Sequence, residues 1–301
     1  MNTTDTLLVF TNGGNYLHIP VHMIPDLKWK DMPKHVSNLI EVPAEESIIG
    51  CIPAYDFSSD KNVIITTRNS MIKRSKLKDF KLQRYNKASS CMNLKDGDEV
   101  ISVMVENYDS VFMTTNTGYG LSFKCDEIPL VGVKASGVKG MKLKDDYIVS
   151  CNNFSYTSHE FISIITENGT GKRVRLNEFE LSTRTRRGIQ VIREVKSKPY
   201  VVLKTFISDS RNHIGIKNGD INFIKLTELP IVDRYSTGSQ ISKKSLNDAF
   251  IMATLVKPNV EQEVLVESEE VVVEEKSTPK KERVSLEEID DRLMTIDDFL
   301  N

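Results

Sequence analysis

Val111-Phe112-Met113-Thr114-Thr115-Asn116-Thr117-Gly118 is a run of β-prone residues closed by a polar turn, and Tyr119-Gly120-Leu121-Ser122-Phe123-Lys124 resumes it beyond the turn. Val, Phe and Thr fit the pleated, half-buried surface of a strand, so 111–124 reads as a β-hairpin. Four other stretches repeat the pattern: LLVFTNGG at 7–14, VIITTRNS at 63–70, ISIITENG at 162–169 and HIGIKNG at 213–219. Their last turn residues, Gly14, Ser70, Gly118, Gly169 and Gly219, lie 56, 48, 51 and 50 residues apart. Ten positions after each stands a large apolar residue: Ile24, Phe80, Ile128, Phe179 and Leu229. Nineteen positions after stand Pro33, Ser89, Gly137, Gly188 and Gly238, a second small or turn-forming position.

Five copies of a unit of about 50 residues decide the fold class. Period-2 stretches and Gly or Asn turns predict antiparallel strands, about four to a unit. A sheet of that size cannot bury its own apolar face, whereas radial stacking of several does so and leaves few strand edges open. An all-β, propeller-like disc of five or six four-stranded blades is therefore expected over residues 1–256. A β-solenoid is the structural rival, but its repeats usually run much shorter.

Composition narrows the functional classes. With 301 residues and 39% hydrophobic content the chain can bury a real core. No apolar run nears the roughly 18 residues of a membrane span, and Met1-Asn2-Thr3-Thr4-Asp5 lacks a basic-then-apolar signal pattern. A soluble, cytoplasmic protein without a membrane partner is expected. Cys51, Cys91, Cys125 and Cys151 never pair closely in sequence, which argues against a zinc knuckle or a CxxC motif and predicts buried, reduced thiols.

The formal net charge of −2 is unevenly divided. Residues 257–301 hold 14 Asp+Glu against 6 Lys+Arg, whereas 1–256 hold 34 Lys+Arg against 28 Asp+Glu. A mildly basic body suits a polyanionic partner, although ordinary surface charge explains the balance equally well. In the acidic tail, Val271-Val272-Val273 sits among glutamates and Ser277-Thr278-Pro279-Lys280-Lys281 reads as linker, so disorder is expected. Ser285-Leu286-Glu287-Glu288 is a capping-box pattern, and Leu286, Ile289, Leu293, Ile296 and Leu300 follow at nearly helical spacing. A short helix over 286–300 is one reading; a frayed acidic end is the other.

Cations recur with the repeat. Six positions after the turn residue stand Pro20, Lys76, Lys124, Arg175 and Lys225, and two positions earlier His18, Arg74, Ser122, Arg173 and Phe223. Residues two apart share a strand face. Lys73 and Lys172 adjoin them, and the segments beyond the tenth position add Arg84, Lys87, Lys134, Lys139, Arg184, Arg186, Arg187, Arg234 and Lys243. A single Lys or Arg is more often a solvated strand face, but repetition around a disc makes a ring of charge suited to successive phosphates of a curved duplex. Such contacts carry little base information and weaken steeply with salt. Enzymatic signatures are missing from the sequence. His18 and His22 are four apart, but Pro20 between them argues against a helical metal site. No GxxxxGK[ST], GxSxG or HExxH pattern occurs, so no catalytic residue, metal site or small-molecule substrate is expected in this chain.

The segments ITTRNSMIKRSKLKDF at 65–80, TTNTGYGLSFKCDEIP at 114–129 and VKASGVKGMKL at 133–143 resemble the C-terminal domain of bacterial type IIA topoisomerase A subunits, those of DNA gyrase and topoisomerase IV. The resemblance covers residues 5 to about 256. It implies a β-pinwheel whose blades exchange strands and whose basic outer rim binds and bends double-stranded DNA. On this basis Lys73, Arg74, Lys76, Arg84, Lys87, Lys124, Lys134, Lys139, Lys172, Arg173, Arg175, Arg184, Arg186, Arg187 and Lys225 are the expected DNA-binding residues. Gyrase members carry a Gln-Arg-Arg-Gly-Gly-Lys-Gly box. The nearest stretch here, Gln83-Arg84-Tyr85-Asn86-Lys87-Ala88-Ser89, keeps Gln and Arg but loses the glycines, and Leu27-Lys28-Trp29-Lys30-Asp31 also looks like topoisomerase IV. Topoisomerase IV is therefore preferred to gyrase, with a propeller serving as a protein platform as the rival from another class. The family usually has another blade upstream, so the first blade is expected to be incomplete. The resemblance places the catalytic tyrosine in a separate domain, and Mg2+ and ATP with the full enzyme. The implied partners are the remainder of the A subunit together with the B subunit, in a nucleoid-associated cytoplasmic setting.

Overall fold

The computed structural model describes residues 1–252 apart from 29, 33–35, 37–38, 196, 198 and 209–210. Each repeated motif forms a hairpin whose last turn residue has positive φ, from 68° at Ser70 to 103° at Gly219. Glycine adopts that conformation without strain. Ser70 is held there by its hydroxyl, which donates to the Met141 carbonyl at 2.9 Å and accepts the Met141 N–H at 2.6 Å.

The hairpins are β1 (Thr6–Thr11) with β2 (Asn15–Pro20), β4 (Asn62–Thr67) with β5 (Met71–Lys76), and β8 (Ser110–Thr115) with β9 (Tyr119–Lys124). β12 (Phe161–Thr166) with β13 (Thr170–Arg175) and β16 (His213–Lys217) with β17 (Ile221–Lys225) complete the five. A third strand flanks the first strand of each hairpin antiparallel: β3 (Ile48–Ala54), β7 (Val100–Val105), β11 (Ile148–Phe154), β15 (Val202–Phe206) and β19 (Asp248–Met252). These five strands pack one against the next in chain order and form the inner edges of the blades.

The outer edges are built by exchange. β6 (Ser89–Ser90), β10 (Val138–Lys139), β14 (Ile189–Gln190) and β18 (Ser239–Gln240) each belong to one repeat and pair with the hairpin of the preceding one. The resulting orders are β3-β1-β2-β6, β10-β5-β4-β7, β11-β8-β9-β14 and β15-β12-β13-β18. The fifth sheet, β17-β16-β19, has three strands among the described residues, whereas the first has four.

Each core spans two repeats, as exchange requires. Phe10, Tyr16, Val63, Ile65, Phe80 and Cys91 share one cluster. Phe112 meets Phe179 of the next repeat edge-on, centroids 5.1 Å apart. Four of the five residues ten beyond the turn are buried, and Ile24 is exposed. Cys91, Cys125 and Cys151 are buried free thiols, but Cys51 is exposed, because it faces outward from β3. His18 is buried between the rings of Phe57 and Tyr85, both 5.6 Å away, and its two ring nitrogens have no hydrogen-bond partner among the described residues. Burial pushes its pKa down and favours the neutral ring.

Met1–Thr254 form one compact unit and Leu255–Asn301 another. The expected acidic linker and the helix over 286–300 lie outside the described residues. Among the described residues no helix is long and apolar enough to cross a membrane.

Candidate nucleic-acid interface

Strand exchange brings the cationic positions together on the outer margins. In the second to fifth repeats, the segment after the 3-10 turn ends in a short strand that pairs with the outer strand of the preceding hairpin. Residues 128–139 show the arrangement. The Arg74 N–H donates to the Pro129 carbonyl at 3.1 Å, the Val131 N–H donates to the Arg74 carbonyl at 2.9 Å, and Val138 and Lys139 then pair with Ile72 and Met71. The same clasp recurs one blade on, where the Ser182 N–H donates to Ser122 O at 2.9 Å, and again where Arg173 is gripped by Pro230 O and the Val232 N–H. Acidic side chains brace the following loops. Glu127 Oε2 accepts the Arg184 N–H at 2.8 Å, and Glu178 Oε2 accepts the Arg234 N–H at 3.0 Å.

The fifteen expected contact residues fall into four groups. Lys73 and Lys172 are 0% and 1% exposed, which corrects their place on an open rim. Each ammonium is instead a pin inside a loop of the next repeat. Lys73 Nζ donates to the carbonyls of Gly132 and Val133, and Lys172 Nζ to those of Asp233, Arg234 and Ser236. Burial pushes both ammoniums down to about 8, which leaves them protonated at neutral pH. Methionine at either position would keep the volume and abandon the carbonyls. Lys73→Met and Lys172→Met are each expected to cost about 1–3 kcal/mol of stability while leaving the salt dependence of nucleic-acid binding unchanged. Calorimetric melting and a salt titration of each variant check this.

Arg74, Arg173, Arg184 and Arg187 form the second group, committed to structural contacts. Arg74 pairs with Glu106 at 2.8 Å and donates to Ile128 O. Arg173 donates to Leu229 O and Thr227 O, and Arg184 to Glu127 O and Lys139 O. Arg187 Nη1 donates to both oxygens of the buried Asp146 carboxylate, at 2.9 and 2.7 Å.

The third group is three members of the ring six positions past the turn, Lys225 excepted. Lys76 pairs with Asp60 at 3.4 Å, Lys124 with Asp109, and Arg175 with Glu160 at 2.9 Å. Hydrogen bonding from Lys124 holds the Asp109 carboxyl below its usual range. Each acid immediately precedes the hairpin that carries its partner, so the ring reads as cationic in a one-position scan yet is locally neutralised. Exposed pairs of this kind contribute little to stability and exchange partners readily.

Arg84, Lys87, Lys134, Lys139, Arg186 and Lys225 are the fourth group. All are exposed, and none has a carboxylate within ion-pair distance among the described residues. Five of the six sit on the exchanged segments. A cleft of about 900 Å3 opens between Gly120–Ser122 and the loop carrying Leu181, Arg186 and Arg187, with Arg234 on its wall. Arg234 also stacks its guanidinium on Tyr235 at 4.3 Å.

The family model for the DNA gyrase C-terminal domain, beta-propeller, matches residues 5–54, 61–105, 109–154 and 160–198. The chain belongs to this family. The A subunit of DNA topoisomerase 4 from Bacillus subtilis (strain 168) is 43% identical over 243 residues, which cover 79% of this chain and 30% of that protein. The chain thus spans about a third of the length of the curated relatives it matches. The crystal structure of the C-terminal domain of a DNA topoisomerase IV superposes with a TM-score of 0.81 at 36% identity, covering 89% of this chain and 85% of that one. A DNA gyrase A C-terminal domain shares the fold, with a TM-score of 0.69 at 23% identity over 84% of each chain. The preference for the topoisomerase IV type read from Gln83–Ser89 agrees with the higher identity.

Proposed function

We propose that this chain is a non-catalytic module that binds double-stranded DNA along the exchanged segments, bends it, and so presents a DNA segment to a type IIA topoisomerase of which it forms part. The observation that carries this reading is the recurrence of unpaired, exposed cations on successive blade margins, at Arg84 and Lys87, Lys134 and Lys139, Arg186, and Lys225. A curved row of cations releases counterions from successive phosphates and favours a bent duplex over a straight one. The names of the relatives support the topoisomerase IV A subunit in the role of parent protein. On that reading the catalytic tyrosine lies in another domain, and Mg2+ and ATP serve the assembled enzyme. Its partners are the rest of the A subunit together with the B subunit, in the nucleoid-containing cytoplasm.

Titration of a short duplex labelled at both ends, at several salt concentrations, tests the reading with the full chain. The expected result is affinity that falls by about a thousandfold between 50 and 200 mM salt, accompanied by increased energy transfer between the ends. Absence of binding at low salt would reject it in favour of a protein platform.

A further inference from the structure

The exchanged segments also carry an apolar feature. Twelve positions after the turn residue stand Leu130, Leu181 and Ile231, and these side chains are 45%, 43% and 47% exposed. Isolated aliphatics on a surface need no explanation, but three at one repeat position on successive blades do. Their backbone is not loose. Leu130 lies between the two hydrogen bonds that link Pro129 and Val131 to Arg74, and Ile231 between those that link Pro230 and Val232 to Arg173. Leu181 is next to Ser182, whose N–H is bonded to Ser122. Each therefore projects from a backbone clamped to the preceding blade, so little ordering remains to be done when it meets a partner. Cations surround them in sequence: Lys134 follows Leu130, Arg184 and Arg186 follow Leu181, and Arg234 follows Ile231. Leu181 shares its cleft with Arg186, Arg187 and Arg234.

We infer that Leu130, Leu181 and Ile231 are wedges that enter the minor groove of bound DNA and partly unstack a base step on each of three blades. The inference rests on the DNA-binding reading above and adds the means of bending. An apolar partner alone would leave the flanking cations without a role, whereas a duplex held by its phosphates offers both a charged backbone and stacked apolar faces within reach of one segment. Aliphatic side chains inserted between base pairs kink DNA towards the major groove, and the cost of unstacking is offset by the larger surface that the bent duplex contacts. Phosphate contacts then set affinity and salt dependence, and the wedges set curvature.

The test uses the full chain with a duplex that carries 2-aminopurine at successive positions and dyes at both ends. Binding of the native chain should brighten 2-aminopurine at discrete steps and raise energy transfer. The variant with Leu130→Ala, Leu181→Ala and Ile231→Ala should melt within a few degrees of the native chain, because nearly half of each residue already faces solvent. It should lose the 2-aminopurine signal and most of the bend, lose about tenfold in affinity, and keep the salt slope of the native chain. A variant that binds with native bending and native 2-aminopurine brightening would overturn the wedge and leave DNA binding standing. If the native chain itself failed to bind at low salt, the DNA-binding reading would fall and take the wedge with it.

Discussion

Replacing Arg84, Lys87, Lys134, Lys139, Arg186 and Lys225 together by glutamine is expected to lower DNA affinity by at least about a thousandfold at moderate salt, and to flatten the log affinity against log salt slope by about 5. The arithmetic follows from counterion release, because each phosphate neutralised by a lysine or arginine contributes roughly 0.9 to that slope. These six are chosen because no carboxylate is paired with them among the described residues. Substituting Lys76, Lys124 and Arg175 instead should change the slope by less per residue. Their partners Asp60, Asp109 and Glu160 already neutralise them, and a phosphate must first displace the carboxylate. The loss should be uniform across DNA sequences, since none of these side chains is expected to read a base edge. Fluorescence anisotropy on two unrelated duplexes over a salt series measures both quantities. Equal slopes for the six-fold variant and the native chain would show that the exchanged segments do not carry the phosphate contacts.

Much of the fold is legible in the sequence because strand formation and turn chemistry are local. The hairpins at 63–76, 111–124 and 162–175 follow from β-branched runs and a left-handed turn residue, and the structure places them there. What the chain does at its outer edges is not local. Lys73 and Lys172 look like their neighbours Arg74 and Arg173 in sequence, yet alternation turns one of each pair inward, where loop carbonyls from the next repeat await it. Period 2 implies that inversion, but the partner carbonyls lie about 60 residues away and leave no sequence signal. The acids at Asp60, Asp109 and Glu160 stand just before the second, third and fourth hairpins, a recurrence that the sequence upstream of the turns does carry. Leu130, Leu181 and Ile231 likewise recur at a fixed offset, but an apolar residue in a strand-rich repeat is ordinarily read as core.

Gly188→Val is expected to be the most damaging single substitution for stability. Gly188 has φ +78°, a conformation that costs an L-residue about 1–2 kcal/mol, and a β-branched residue adopts it with further strain. The site is also closed: a Cβ there would overlap the Gly120 carbonyl oxygen and come within 3.1 Å of the Met141 side chain. The obstruction is backbone, so rotamer changes cannot relieve it. Gly188 immediately precedes β14, whose Ile189 and Gln190 pair with Gly120 and Tyr119 to complete the third blade. Moving Gly188 outward would therefore peel β14 from β9 and uncover Val191, which is fully buried in the core shared by the two repeats. A loss of about 4 kcal/mol is expected, from the conformational cost and the core disruption together. In a domain of this size that corresponds to a fall in melting temperature of roughly 8–16 °C. Hydrogen exchange should then show that the amides of β9 and β14 lose protection first, before those of β1 and β2 in the first blade. Equal loss of protection across all blades would mean that the exchanged strands lock the propeller into one cooperative unit. Confinement to the third and fourth blades would mean that each clasp is an independent joint, as expected where neighbouring repeats contact mainly each other.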